Sequence, residues 1–424
     1  MDFTYDDEQD ALRDAVRGLL GKAYSDFEQR RQTCKADPGF SEQVWSQMAE
    51  MGLLGLPFSE EDGGVGAGPV EIAIVCQEIG RVIAPEPYLH AVVLAGGLVQ
   101  ACGTPEQRQD VLGALASGER LLGFAHDEPG SRWAPTASAV TAAQDGADPD
   151  GGGWTLTGTK EPVVQGARAD QLVVSAALPD GGTGLFLVDA GATERTGYPT
   201  YDGGRAAQVT FDGTAATPLG EPGRDLAGSI ATVQDIARIM AANIAVGAME
   251  TALRTTCGYL TSRKQFGVTL NTFQALTFRA ADMYVSLELA TSVVSWATMV
   301  LQTGDPARVR DAAARAGLQA SRAGRHVGQE AIQLHGGIGM TAEYSVGSYT
   351  AVLTALDHLL GDGDHHLADL TDLYRSPIGP LDIDDAPFGH PTHGGMLRIL
   401  RLIGQHRRNR LRHAIQLPRP TPEP

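Results

Sequence analysis

A chain of 424 residues that is 42% hydrophobic and 20% charged is long enough to bury a large core in several layers. With 51 acidic against 33 basic residues its net charge is -18, which excludes nucleic acid as the main partner and means that a polyanionic ligand must be met by local positive charge. Four scattered cysteines, Cys34, Cys76, Cys102 and Cys257, have neither metal-ligand spacing nor the density of a disulfide frame, so no metal is expected and a reducing cytoplasm is.

The chain starts acidic, from Met1 to Asp7, without the apolar run of a signal peptide, and no apolar stretch is read as long enough to cross a membrane. Residues 1–118 read as an N-terminal helical domain. Thr4 or Asp6 can cap its first helix, with Leu12, Val16, Leu19 and Leu20 on one face. Trp45, Met48 and Ala49 continue the apolar stripe. Residues 59–68, with Glu60-Glu61-Asp62-Gly63-Gly64, read as a loop, and 70–82, 89–102 and 106–116 as further helices.

The texture changes at residue 119. Short strand patterns at 121–125, 138–143, 154–158, 171–176, 184–188 and 207–211 are separated by glycine, proline and aspartate clusters, with 145–153 a loop tip. Residues 119–225 therefore read as a small β-barrel or sandwich. From 226 the pattern is helical again. Helices expected at 231–262, 272–303, 307–334 and 343–360 make residues 226–375 an antiparallel four-helix bundle. Residues 376–424 form a proline-rich tail whose 396–415 segment mixes Leu397, Ile399 and Leu400 with Arg398, Arg401 and Arg407. Such a basic amphipathic stretch suits an anionic surface, or docking on the acidic body of the chain.

Two stretches of the bundle carry chemistry. Gln333-Leu334-His335-Gly336-Gly337-Ile338-Gly339 removes side chains from one patch of backbone and permits close approach by a ligand. A dinucleotide fingerprint would follow a strand and open a helix, so these glycines are not one. Arg263-Lys264-Gln265-Phe266-Gly267 places an arginine where a phosphate can be clamped. In this order and separation the stretches resemble the acyl-CoA dehydrogenase family, whose members carry R-K-x-F-G and then Q-x-x-G-G-x-G. The likeness covers residues 1 to about 375. It implies an α+β, mostly α fold of N-terminal helical domain, middle β-barrel and C-terminal four-helix bundle.

The resemblance implies FAD bound across a subunit interface, one subunit cradling the flavin ring and its neighbour gripping the ADP half. Arg263, Gln265, Phe266, Gln274, Gln333, Gly336 and Gly337 match the gripping half. A guanidinium pairs with pyrophosphate in a bidentate way, and glycines let backbone N–H groups reach it. Arg238 matches another family arginine and reads as structural. The ring half departs from the pattern. Where the family has T-E-P-x-x-G-S-D, this chain has Asp127-Glu128-Pro129-Gly130-Ser131-Arg132; where it has W-I-T, this chain has Pro162-Val163-Val164, and valine donates no hydroxyl hydrogen bond.

The family reaction removes an α-proton from an acyl-CoA thioester as hydride leaves the β-carbon, and needs a carboxylate base. The two positions that supply it in the family hold Leu360 and Ala237 here. Asp362 and Asp364, just past the first, are weak candidates and also suit the cap of a following helix; Asp235 points away from the second position, and Glu250 reads as a surface or interface residue. The pattern resembles the base-less subunits of actinobacterial heterotetrameric, steroid side-chain type acyl-CoA dehydrogenases. It implies an acyl-CoA substrate, a homologous chain supplying the glutamate, and an electron-transferring flavoprotein as electron acceptor. Two other readings compete: a self-sufficient homo-oligomeric dehydrogenase using Asp362 or Asp364, and a flavin-free scaffold subunit.

Overall fold

The fold is taken from a computed structural model, which describes residues 4–144 and 153–375. Most of the loop expected at 145–153 and all of the tail at 376–424, with its basic segment, lie outside the described residues. Residues up to Leu370 make one compact unit; the end of the last helix, from Thr371, belongs to a second.

The N-terminal helices start where side chains satisfy their first N–H groups. Asp6 accepts from Gln9 N at 2.8 Å while the Gln9 side chain accepts from Asp6 N, a capping box that opens α1 (Asp7–Tyr24). Helices α2 (Phe27–Lys35) and α3 (Glu42–Glu50) follow, and Val16, Leu20, Trp45 and Met48 are buried as their spacing requires. The acidic loop holds one 3-10 turn, Glu60–Asp62. Helix α4 (Pro69–Val82) has proline in its first turn. The next apolar run winds as a π-helix over Leu89–Gly96 and passes into α5 (Gly97–Cys102); α6 (Pro105–Ala116) closes the region with a second capping box, Thr104 with Gln107.

The middle region is a closed sheet. Strands β1 (Leu122–Ala125), β2 (Thr141–Gln144), β3 (Trp154–Val164), β4 (Gln171–Ala177), β5 (Thr183–Asp189), β6 (Glu194–Pro199) and β7 (Arg205–Pro218) make one sheet. The ring runs β4–β5–β7–β3–β2 and returns to β4 through the bridge Thr141↔Ala177. β1 lies parallel to β4, and Val140, Leu156, Phe186, Val209 and Phe211 fill the interior.

The bundle is α7 (Ala227–Ser262), α8 (Gln274–Val300), α9 (Pro306–His335) and α10 (Val346–Leu359), followed by α11 (Gly363–Arg375). Helices α4 and α7 cross at two glycines. A Cβ on Gly80 would lie 1.9 Å from the Ile244 carbonyl oxygen, and one on Gly247 would lie 2.0 Å from that of Gln77. Only hydrogen fits at either position, and this crossing sets the N-terminal helices against the bundle.

Two helices correct the expectation that nothing in the chain is long and apolar enough to span a membrane. α7 and α8 each pass by length and composition, at mean hydropathy 1.3 over the best window. In α7, 78% of that window is buried, because a core helix of a large bundle needs the same apolar sequence as a spanning one; in α8 the buried share is 33%.

Candidate functional site

The residues expected to grip a nucleotide gather at one end of the bundle. Arg263 is the C-cap of α7, and the hairpin β8 (Lys264–Gln265) and β9 (Val268–Thr269) follows at once. Its two-residue loop is Phe266-Gly267, with φ 54° and 83°, the positive pair that a tight hairpin demands. That conformation pushes the Phe266 ring outward, where it is 92% exposed. Phe266 meets Phe273 edge-on at 6.2 Å, which sets the hairpin beside Gln274 at the start of α8.

The second gripping segment is brought to the first by stacked rings. Tyr259, one turn before Arg263, stacks on His335 at 4.6 Å, and His335 meets Tyr344 at 4.9 Å. His335 is the last residue of α9, so the stack fixes where Gly336 and Gly337 emerge. Gly336 has φ 62°, and a Cβ on either glycine would meet nothing within 4 Å. Arg263, Gln265, Gln274, Gln333, Gly336 and Gly337 are all exposed, and Arg263 makes no ion pair among the described residues. The Gln265 amide donates to the Lys264 carbonyl at 2.9 Å, and the Arg263 guanidinium is an open donor beside bare backbone, which suits a pyrophosphate. Exposed apolar side chains stand near them in the chain, Phe273 and Phe278 at the start of α8 and Ile338 and Met340 after α9, and Val285 and Leu289 continue along α8.

The ring half is built differently. Glu128, kept from the family pattern, is buried. Its carboxylate accepts from the Ala139 and Val140 N–H groups at 2.8 and 3.0 Å and from Lys160 Nζ at 2.9 Å. Lys160 is fully buried and also donates to the His126 carbonyl and to Ser175. Burial opposes the Glu128 charge, but the backbone N–H groups and Lys160 outweigh it and bring the carboxyl down to about 2. Burial and the Lys160 charge take His126 down to about 4.

Beside this cluster, the three layers meet at one small pocket of about 40 Å³. Phe124, Asp127 and Trp133 line it from β1 and the loop beyond, Pro162 and Val164 from β3, and Arg238 and Leu360 from the bundle. Val164, at the position where the family has a threonine hydroxyl, lines this pocket and donates no hydrogen bond, so the residues present suit the nucleotide end of FAD better than its ring.

Neither base position holds an acid. Ala237 is fully buried, and the Leu360 carbonyl accepts from Arg238 Nε at 2.7 Å. Arg238 also donates to Asp235 at 2.6 Å; Asp235 is buried on the same helix and its carboxyl is occupied by this pair. Asp362 accepts from His365 N at 2.9 Å and caps α11, and Asp364 lines a separate surface cleft with Arg322 and Arg325. Glu250 is exposed beside Arg254. The carboxylate that does line the junction pocket is Asp127, pushed up to about 6 by burial. Sequence reasoning passed over it as one letter of a degraded motif; the signal was an acid standing where the family has a hydroxyl.

Family models agree with this layout. Residues 6–119 match the acyl-CoA dehydrogenase N-terminal domain and residues 229–370 the acyl-CoA dehydrogenase C-terminal domain. The chain belongs to the acyl-CoA dehydrogenase family. Its members are oxidoreductases acting on a CH–CH bond of acyl-CoA, flavoproteins of fatty acid or steroid oxidation. Among relatives, the acyl-CoA dehydrogenase FadE27 of Mycobacterium tuberculosis is 30% identical over 85% of this chain and 95% of its own. Among solved structures, the Tcur3481-Tcur3483 steroid ACAD variant is 32% identical at TM-score 0.77, covering 87% of this chain and 97% of that one. The ChsE4-ChsE5 complex from Mycobacterium tuberculosis is 28% identical at TM-score 0.79, covering 89% and 100%.

Proposed function

We propose that this chain is the partner subunit of an FAD-dependent acyl-CoA dehydrogenase, gripping the ADP half of a flavin whose ring and catalytic glutamate belong to a homologous chain. The observation that carries the reading is the contrast between the two halves. The gripping end is open and cationic, while the junction pocket has Val164 in place of the family's hydroxyl and neither expected base position holds a carboxylate. FAD, when bound, supplies the hydride acceptor for α,β-dehydrogenation. This chain's part is to bind and orient: Arg263 pairs with pyrophosphate, Gln265, Gln274 and Gln333 offer side-chain amides, and the Gly336-Gly337 backbone approaches without a side chain in the way.

The apolar side chains around the grip, Phe266 foremost, suit a protein interface rather than solvent. Two of the similar solved structures are named as pairs of proteins, which supports a two-chain assembly here. A steroid side-chain or fatty acyl thioester as substrate, and an electron-transferring flavoprotein as electron acceptor, belong to the same reading. A reducing, cytoplasmic setting suits four cysteines that are all free.

The test is to purify the chain alone and with a co-encoded sister chain that carries the glutamate, and to assay FAD content and α,β-dehydrogenation. Stoichiometric flavin and turnover in the pair only are expected. Full turnover by the isolated chain overturns the reading, and an active pair without flavin leaves the scaffold alternative.

A second reading, a self-sufficient dehydrogenase, is favoured at Asp127 rather than at Asp362 or Asp364, because Asp127 lines the pocket where the layers meet. It requires that the isolated chain turn over and that Asp127→Asn abolish this.

A further inference from the structure

Trp133 carries a large side chain on a backbone at φ 51°, a left-handed conformation that costs a residue with a Cβ about 1 kcal/mol or more. Contacts from the far side of the junction pocket hold it there. The indole Nε1–H donates to the His358 carbonyl near the end of α10 at 3.0 Å, and the ring lies 5.2 Å from the His365 imidazole. The Arg132 guanidinium sits over the ring, 5.6 Å from its centroid. A loop leaving β1 is thus fastened to the turn that carries Leu360. Trp133 is only half-buried, so core packing alone does not account for a bulky residue in a strained backbone.

The pocket beneath it is otherwise suited to a flat ring. Phe124 and His126, stacked at 5.1 Å and 12°, line it together with Pro162, Val164 and Leu360. The Trp133 indole stands among these lining side chains, tied to the end of α10.

We propose that Trp133 is an internal stopper, whose indole stands between β1 and the end of α10 where a planar tricyclic ring would enter, and so closes this chain's own junction pocket to flavin. The inference deepens the partner-subunit reading and rests on it, because that reading leaves this pocket without a ring of its own. The stopper makes the division of labour one-sided: the chain grips a neighbour's nucleotide and presents no competing ring site.

The experiment uses lumiflavin, which has the tricyclic ring but no phosphate or adenine, so the grip at Arg263 contributes nothing to its binding. The full chain and its Trp133→Gly variant are titrated by flavin fluorescence. Glycine removes the indole and also relieves the positive φ. The variant is expected to bind lumiflavin at least about tenfold tighter than the parent, and added indole, refilling the cavity, is expected to displace it and raise the variant's melting temperature. Equal lumiflavin binding by parent and variant overturns the proposal, and so does binding that indole leaves unchanged. If Trp133→Gly does not fold, His365→Ala, which keeps the indole but removes the imidazole packed against it, decides. Tighter lumiflavin binding supports the stopper, and none overturns it. FAD retention by the two-chain assembly is read separately, through Arg263→Ala, so the two ideas fail independently.

Discussion

Arg238 and Leu360 are joined by a 2.7 Å hydrogen bond from the guanidinium Nε to the main-chain carbonyl. It links the two places where the family's base would stand, since Arg238 follows Ala237. The same guanidinium neutralises buried Asp235 at 2.6 Å. Arg238→Met strips both partners at once. Breaking a buried pair from one side costs about 3 kcal/mol or more, and urea unfolding of the variant should show a loss of that order. A loss under about 1 kcal/mol would mean that the pair is solvated.

Restoring the acid does not restore a catalyst. Leu360→Glu places a carboxylate at the first expected base position, but the pocket in front of it still has Val164 where the family has a hydroxyl, and the Trp133 indole beside it. The isolated variant should show no α,β-dehydrogenation of any acyl-CoA. Measurable turnover would show that the missing glutamate was the sole obstacle.

The two glycines of the grip should separate folding from binding. Gly336 has φ 62°, so Gly336→Ala strains the end of α9 and should cost about 1–3 kcal/mol in chemical denaturation. Gly337 has no positive φ and open space around it. Gly337→Ala should leave stability within about 0.5 kcal/mol. It should still lower FAD retention in the two-chain assembly, because its methyl group stands where the pyrophosphate must approach. Unchanged retention in Gly337→Ala would place the nucleotide elsewhere.

Arg263→Ala removes an exposed guanidinium with no ion-pair partner among the described residues, so the fold should not notice. A charge-assisted hydrogen bond to phosphate contributes about 1.5–3 kcal/mol, which corresponds to roughly tenfold to a hundredfold weaker FAD binding by the assembly. Equilibrium dialysis with FAD reads this directly, and an unaltered affinity would remove Arg263 from the site.

Two buried glutamates give pH dependences of opposite sign. Glu86 is buried, accepts from the Tyr24 hydroxyl and from Ser41 N at 3.2 Å, and burial raises it from 4.5 to about 7. Its folded form holds the proton more tightly, so its contribution is full below pH 4.5 and is lost as pH rises through 7. Glu86→Gln should therefore match the parent at pH 4.5 and be about 3 kcal/mol more stable at pH 8. Glu128, brought down to about 2, does the reverse: its contribution is present above pH 4.5 and is lost as pH falls toward 2. Glu128→Gln should flatten that acid limb, while leaving Lys160 without its counter-ion at neutral pH. Denaturation midpoints across pH check both slopes.

Much of the architecture was legible because local chemistry decided it. A cap at Asp6 and apolar spacing placed the N-terminal helices, and short apolar patterns between glycine, proline and aspartate clusters marked most of the barrel strands. The misreadings have equally local causes. β6 escaped notice because both its faces are largely exposed, so no apolar alternation marks it. The strand expected from residue 138 starts only at Thr141, since the Ser138, Ala139 and Val140 N–H groups donate to Glu128 instead of to a ladder. β3 runs on to Val164, through Pro162, by shifting register against β7.

The sequence by itself determined the order of the three regions, and it offered the candidate gripping residues and the absence of an acid at both expected base positions, because each depends on residue type at a short, fixed spacing. Only the tertiary structure decided what stands in the vacated site. Asp127 and Trp133 come from the edge of the barrel, Arg238 from α7 and Leu360 from the end of α10. Their meeting is set by how the helices pack, with Gly80 and Gly247 allowing α4 and α7 to touch backbone to backbone. Steric fit between distant segments leaves no periodic trace along a chain, so neither the small pocket nor the indole across it could be read from the letters.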